Sequence, residues 1–111
     1  MRVSELQGAL GLEVLQGGYE DRELSGGYTS DLLSDVMANA KADGILVTIQ
    51  AHKNAIAVAS LVGIAAVLVC NGRPAPEDMI DAARAEGIAV FRTAMSQFEA
   101  SGRLYGALGG R

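Results

Sequence analysis

Apolar residues in the second half of the chain come in short, nearly uninterrupted runs separated by polar turns. GILVTIQAHKNAIAVAS starts at Gly44, GIAAVLVCNGRPAPEDMIDAARAE at Gly63 and GIAVFRTAMSQFEASG at Gly87. Each opens Gly-Ile, passes through a β-branched stretch, meets a polar turn and then becomes helical. Each therefore reads as strand, loop, helix. Strands that are apolar throughout, alternating with helices, predict an α/β fold: a mostly parallel sheet with helices on both faces, built from repeated strand-loop-helix units.

Upstream, SDLLSDVMANAKA places Leu32, Leu33, Val36, Met37 and Ala40 at helical spacing, with Thr29 or Ser30 as its cap and Asp31 near the positive helix end. Asn54 is the expected cap of the middle helix. Pro76 fits the first turn of the next, with Gly87 as its stop. A short last helix around Ser96 is expected to close at Gly102. At the front, 3–10 reads as a short helix and 12–16 as a strand. Gly17 and Gly18 form a turn, and the charged 20–25 segment is a weak edge strand or a loop. That makes four core strands and one uncertain addition.

The middle helix, AIAVASLV at 55–62, has no polar face apart from Ser60. Such a helix is either sandwiched within the fold or covered by another subunit. The expectation drawn from it is a homodimer. The uncharged run 55–70 is 16 residues long, short of the roughly 20 that a spanning helix requires. Gly63 divides it into helix and strand, so no membrane association is expected.

The chain's 111 residues are 50% hydrophobic and 20% charged, which fits one folded domain, 1–111, with its own core. Without tryptophan and with 5% aromatics, that core is aliphatic. The net charge of -4, with no cluster of Lys and Arg, argues against nucleic acid as a partner. Cys70 is alone, which excludes an internal disulfide and a multi-cysteine metal site. It is read as a buried small hydrophobe. MRVSELQG lacks the apolar core of a signal peptide, and a cytoplasmic location is expected.

In parallel α/β sheets, ligands bind beside the loops at the carboxyl ends of the strands. Four loops are expected there: 26–31, 49–54, 70–76 and 92–96. They supply the candidate ligand-binding residues Tyr28, Thr29, Ser30, Asp31, Gln50, His52, Asn54, Asn71, Arg73 and Thr93. His52, the sole histidine, fits a ligand contact, a structural cap or a general base. Arg73, next to the Asn71-Gly72 turn, suits a phosphate or carboxylate. Gly26 and Gly27 fit a turn or a backbone approach to an anion. The phosphate loop, nucleophile elbow, HExxH, CxxC and GxGxxG patterns are all missing. No cofactor or metal is expected, and no catalytic residue is assigned.

The blocks GYTSDLLSDVMANAK at 27–41, TIQAHKNAIAVASL at 48–61 and CNGRPAPEDMIDAARAEGI at 70–88 resemble the DRTGG-domain family, in its short stand-alone form. The chain is also similar to the N-terminal domain of HPr kinase/phosphorylase, whose phosphate loop lies in a different domain. The eponymous motif is altered. Gln50, Ala51 and His52 stand where relatives carry a Gly-Asp-Arg type turn, and Cys70, Asn71 and Gly72 where they carry Thr-Gly-Gly. The resemblance implies a non-catalytic regulatory or sensory domain, linked to anaerobic redox (hydrogenase) regulation. Its partners would be a redox or kinase protein and a small anionic metabolite. The competing readings are a small enzyme using His52 with Thr93, Asp31 or Arg73, and a purely structural adaptor.

Overall fold

A computed structural model describes residues 1–110. A 3-10 turn (Val3–Glu5) leads into helix α1 (Leu6–Leu10) and strand β1 (Glu13–Gln16). Then follow β2 (Gly27–Thr29), α2 (Leu33–Asn39), β3 (Ile45–Thr48), α3 (Lys53–Val62), β4 (Ala66–Val69), α4 (Glu77–Glu86), β5 (Ala89–Arg92) and α5 (Gln97–Ala107). The strands form one five-stranded sheet in the order β1-β5-β4-β3-β2. β2 to β5 are parallel, and β1 joins β5 antiparallel. The sheet is thus mixed but mainly parallel, as the strand-loop-helix pattern predicted.

Successive parallel strands sit side by side and always advance in the same direction. Right-handed crossovers then put α2, α3 and α4 on one face. Strand alternation supplies that face with Leu46, Val67, Val69 and Val90, packed with Val36, Ile56, Ala59, Met79 and Ala83. The opposite face carries Ile45, Val47, Ala66, Leu68, Ala89 and Phe91, covered by α1 and α5 through Leu6, Leu10, Ala100, Leu104 and Leu108. β3 and β4 are buried along their whole length, which explains their unbroken apolar runs.

The middle helix is flanked by other helices on both sides and open on its outer face. α3 lies between α2 and α4 and buries Ala55, Ile56, Val58 and Ala59. Ser60 on its outer side donates to Glu86 at 2.9 Å, and Leu61 is left 76% exposed. Two of the three Gly-Ile openings are helix stops: Gly63 and Gly87 are left-handed, at φ 87° and 66°. At the third, Asp43 takes the left-handed turn at φ 63°. Gly44 instead permits a close approach, because a Cβ there would lie 3.2 Å from the carbonyl oxygens of both Gly26 and Lys41.

Several boundaries differ from the sequence expectation. The uncertain strand is not at 20–25, where only a single bridge joins Arg2 to Glu23. It is Gly27–Thr29, two glycine-rich steps later. Three residues on an edge carry too little periodic signal to be distinguished from a turn. α2 spans only Leu33–Asn39. Pro76 is the N-cap of α4 rather than its first helical residue. α5 runs straight through Gly102 to Ala107, because Ala100, Leu104 and Leu108 hold it on the sheet and outweigh the roughly 1 kcal/mol cost of an internal glycine.

Candidate functional site: the carboxyl edge of the sheet

The loops after β2, β3, β4 and β5 meet at one edge, and the chain itself ties them together. Asp31 is the centre of one knot. Its Oδ1 accepts from the Thr48 hydroxyl (2.9 Å), the Ile49 N–H (2.9 Å) and the Gln97 amide (2.8 Å). The Gln50 side chain donates to the Asp31 carbonyl at 3.0 Å, and Gln50 N–H donates to Thr48 Oγ1 at 3.0 Å. Thr48 is fully buried, and a buried hydroxyl requires such partners.

A second knot is made by the backbone. Gly72 N–H donates to the Thr93 carbonyl (2.8 Å) and Asn71 N–H to the Met95 carbonyl (2.9 Å). Asn71 and Gly72 adopt left-handed conformations, with φ 61° and 62°, as a tight Asn-Gly turn demands. The two knots together define a strap. Residues 93–97 run from the end of β5, past the β4 loop, to Asp31 beside β3 and β2, with Gln97 already the first residue of α5. The sequence places Thr93 near this edge, but the crossing itself depends on Gln97 and Met95, which carried no recognisable motif.

His52 is the N-cap of α3, with Nδ1 accepting from the Asn54 N–H at 3.0 Å. This corrects the expected cap: Asn54 supplies the donor and the histidine ring the acceptor. The extended backbone of His52, φ -148° and ψ 148°, positions its side chain over the first turn as an N-cap requires. That bond places the ring proton of a neutral His52 on Nε2. Neither Thr29 nor Ser30 is the N-cap residue of α2, which is Leu32. Ser30 Oγ accepts from the Leu32 N–H at 3.2 Å, and Thr29 Oγ1 is hydrogen-bonded to Ser101 Oγ at 2.6 Å.

Not all ten candidates share the edge. Ser30, Asp31, Gln50, His52, Asn54, Asn71, Arg73 and Thr93 do. Tyr28 turns to the helical face, where its hydroxyl donates to the Asp35 carboxylate at 2.9 Å. This bond raises the tyrosine pKa, and hydrogen bonds from Ser30, Tyr28 and Asn39 lower that of Asp35. Thr29 turns to the α5 face. Gly26 precedes β2 and Gly27 begins it, so both lie at the amino edge, on a cavity of about 440 Å³ shared with Lys41, Ile45 and Ile64.

The proposed catalytic combination is not joined by hydrogen bonds. Asp31 is engaged as above, Thr93 Oγ1 accepts from the Met95 N–H at 3.2 Å, and His52 is held by its cap. Cys70 is fully buried, and its thiol is pushed up to about 11, by burial first and the charge of Asp31 second. It is thereby kept protonated and unreactive. What the edge does offer is unpaired positive charge. Lys53, the first residue of α3, and Arg73, in the loop after β4, are exposed and have no ion-pair partner among the described residues. The N-terminus of α3 has no acidic residue in its first turn, so its dipole favours an anion, whereas that of α4 is already offset by Glu77 and Asp78.

No family model matches the chain, and no curated protein is similar to it in sequence. Among solved structures, its fold is similar to that of the CBS and DRTGG domains of the regulatory region of Clostridium perfringens pyrophosphatase, determined with the activator diadenosine tetraphosphate. The TM-score is 0.70 at 13% identity, over 92% of this chain and 44% of the other. The chain thus spans less than half of that regulatory region. No helix among the described residues is long and apolar enough to cross a membrane.

Proposed function

We propose that this domain is a non-catalytic regulatory module of DRTGG type, which dimerises and takes a small anionic ligand at the carboxyl edge of its sheet. One observation carries the ligand reading: Lys53, in the first turn of α3, and Arg73, in the loop after β4, stand without an ion-pair partner at the same edge of the sheet. An anion there gains charge-assisted hydrogen bonds without breaking any ion pair in the protein. The strap 93–97 supplies a route for the signal. It is bonded to the Arg73 loop at one end and, through Gln97, to Asp31 at the other, so a ligand that shifts the Asn71–Arg73 turn also acts on α5. The recipient is a partner protein of redox or kinase type, as the family resemblance implies. The related fold of a pyrophosphatase regulatory region supports a regulatory role.

The test is calorimetric titration with inorganic phosphate, pyrophosphate and diadenosine tetraphosphate as probes. At least one is expected to bind the wild type, and Arg73→Ala is expected to weaken it by about tenfold, the loss of one charge-assisted contact. Absence of binding by all three, or binding indifferent to Arg73→Ala and Lys53→Ala, would sink the ligand reading.

A further inference from the structure

We propose that the open edge of the sheet at β2 is where two copies of this chain join, strand against strand and α5 against α5. The inference rests on the dimer reading above and names its surface.

The backbone of β2 is half used. In its parallel ladder with β3, Gly27 lies beside Ile45, Tyr28 beside Leu46 and Thr29 beside Val47. Ile45 N–H donates to Gly26 O, and Ser30 N–H donates to Val47 O. Alternate residues of a strand turn their N–H and C=O to the same side. Residues 26, 28 and 30 therefore face β3, while Gly27 and Thr29 turn theirs outward, where both residues are exposed. An unpaired edge of this kind is a template for another strand.

The two edges of the sheet are treated differently. β1 carries a bulge between Val14 and Gln16, and Glu13 on it is paired with Arg92 at 2.8 Å. Bulges and charges discourage strand addition. β2 has neither, nor a lysine or proline.

The geometry fits a second copy. A twofold axis normal to the sheet at Tyr28 sets Gly27 of one copy opposite Thr29 of the other. Both residues have outward backbone groups, so each such pair exchanges two N–H···O=C bonds. α5 packs on β2 and β3. With strands about 4.8 Å apart, the two α5 helices then lie about 10 Å apart, the spacing of packed helices. Phe98, 91% exposed, and Tyr105, 63% exposed, lie two helical turns apart on one stripe. Ser101 lies between them on the side that bonds Thr29, and Tyr105 borders the groove along Gly27 and Thr29. The twofold therefore uses the open backbone and the aromatic stripe together. An extended peptide from another protein satisfies only the backbone.

The experiment is sedimentation velocity over a concentration series on the full chain, for the wild type, Thr29→Pro and Phe98→Glu. The Thr29 N–H turns outward from β3, so proline removes an outward donor, together with the side-chain hydrogen bond from Thr29 to Ser101. Phe98 is 91% exposed, so its replacement is expected to leave the fold intact, which circular dichroism checks, and this keeps the test valid should the proline variant misfold. The wild type is expected to dimerise, with the dissociation constant raised at least about tenfold in each folded variant. A wild-type dimer unaffected by Phe98→Glu overturns this surface while leaving the dimer reading standing. A wild type monomeric throughout the series overturns both, and the anion titration stands or falls separately.

Discussion

Gln97 Nε2 donates to Asp31 Oδ1 at 2.8 Å across 66 residues of sequence, joining the start of α5 to the loop that follows β2. The same oxygen accepts from Thr48 and Ile49, so one carboxylate oxygen fastens three loops. Removing it leaves the buried Thr48 hydroxyl and the Ile49 N–H without their acceptor. Asp31→Ala is expected to lower stability by about 2–4 kcal/mol, and Gln97→Ala by about 1 kcal/mol, both measured by urea unfolding. Equal small losses for the two would show that Asp31 is not the hub.

His52 is expected to matter first as a cap. His52→Ala should cost about 1 kcal/mol, while His52→Ser or His52→Asp, which restore a side-chain acceptor for the Asn54 N–H, should recover most of it. The anion titration separates the two roles of the residue. His52→Ser keeps the cap and removes the ring, so any loss of affinity with stability preserved belongs to ligand contact.

The Cys70 thiol, buried and raised to about 11, is expected to resist a disulfide reagent at pH 8 in the native state and to react only as the protein unfolds. Its ordinary value is 9.0. Above that pH the unfolded thiol ionises while the native one does not, so stability should fall as pH rises from about 9 toward 11. Cys70→Ala should flatten that part of the profile. Prompt labelling of the folded protein would refute the assignment.

At low pH a different group acts. Asp21 is held at about 2, below its ordinary 3.8, by hydrogen bonds from the Ser4 hydroxyl, Arg2 and the Ser4 N–H, with the charge of Arg2 adding to them. Its stabilising contribution is present above the unfolded value and is lost as pH falls through the folded one. The wild type should therefore lose stability between about pH 4 and pH 2, and the loss should be shallower in Asp21→Asn. Chemical denaturation at stepped pH reads the difference.

Gly44→Ala is expected to destabilise by about 1–3 kcal/mol, because the added Cβ meets two carbonyl oxygens at 3.2 Å. Gly72→Ala has open space around it but a left-handed φ of 62°. It should cost about 1 kcal/mol through backbone strain alone. A larger effect at Gly72 than at Gly44 would contradict this account.

The strand-loop-helix units, the burial of both sheet faces and the helix stops at Gly63 and Gly87 were all legible in the sequence, because periodicity and left-handed glycines are local properties. So was the burial of Cys70, which ends an apolar run. β2 was not legible, since three residues on an edge obtain their conformation from β3 rather than from their own propensity. The cap of α3 was assigned to Asn54, the stronger capper by type, yet His52 fills the position because the extended turn after Thr48 brings its ring over the Asn54 N–H. The loops of the candidate site could be placed at one edge from topology alone. That Asp31 fastens them, and that residues 93–97 cross between them, was decided only by tertiary structure, because hydrogen bonds between residues 66 positions apart leave no mark on local pattern.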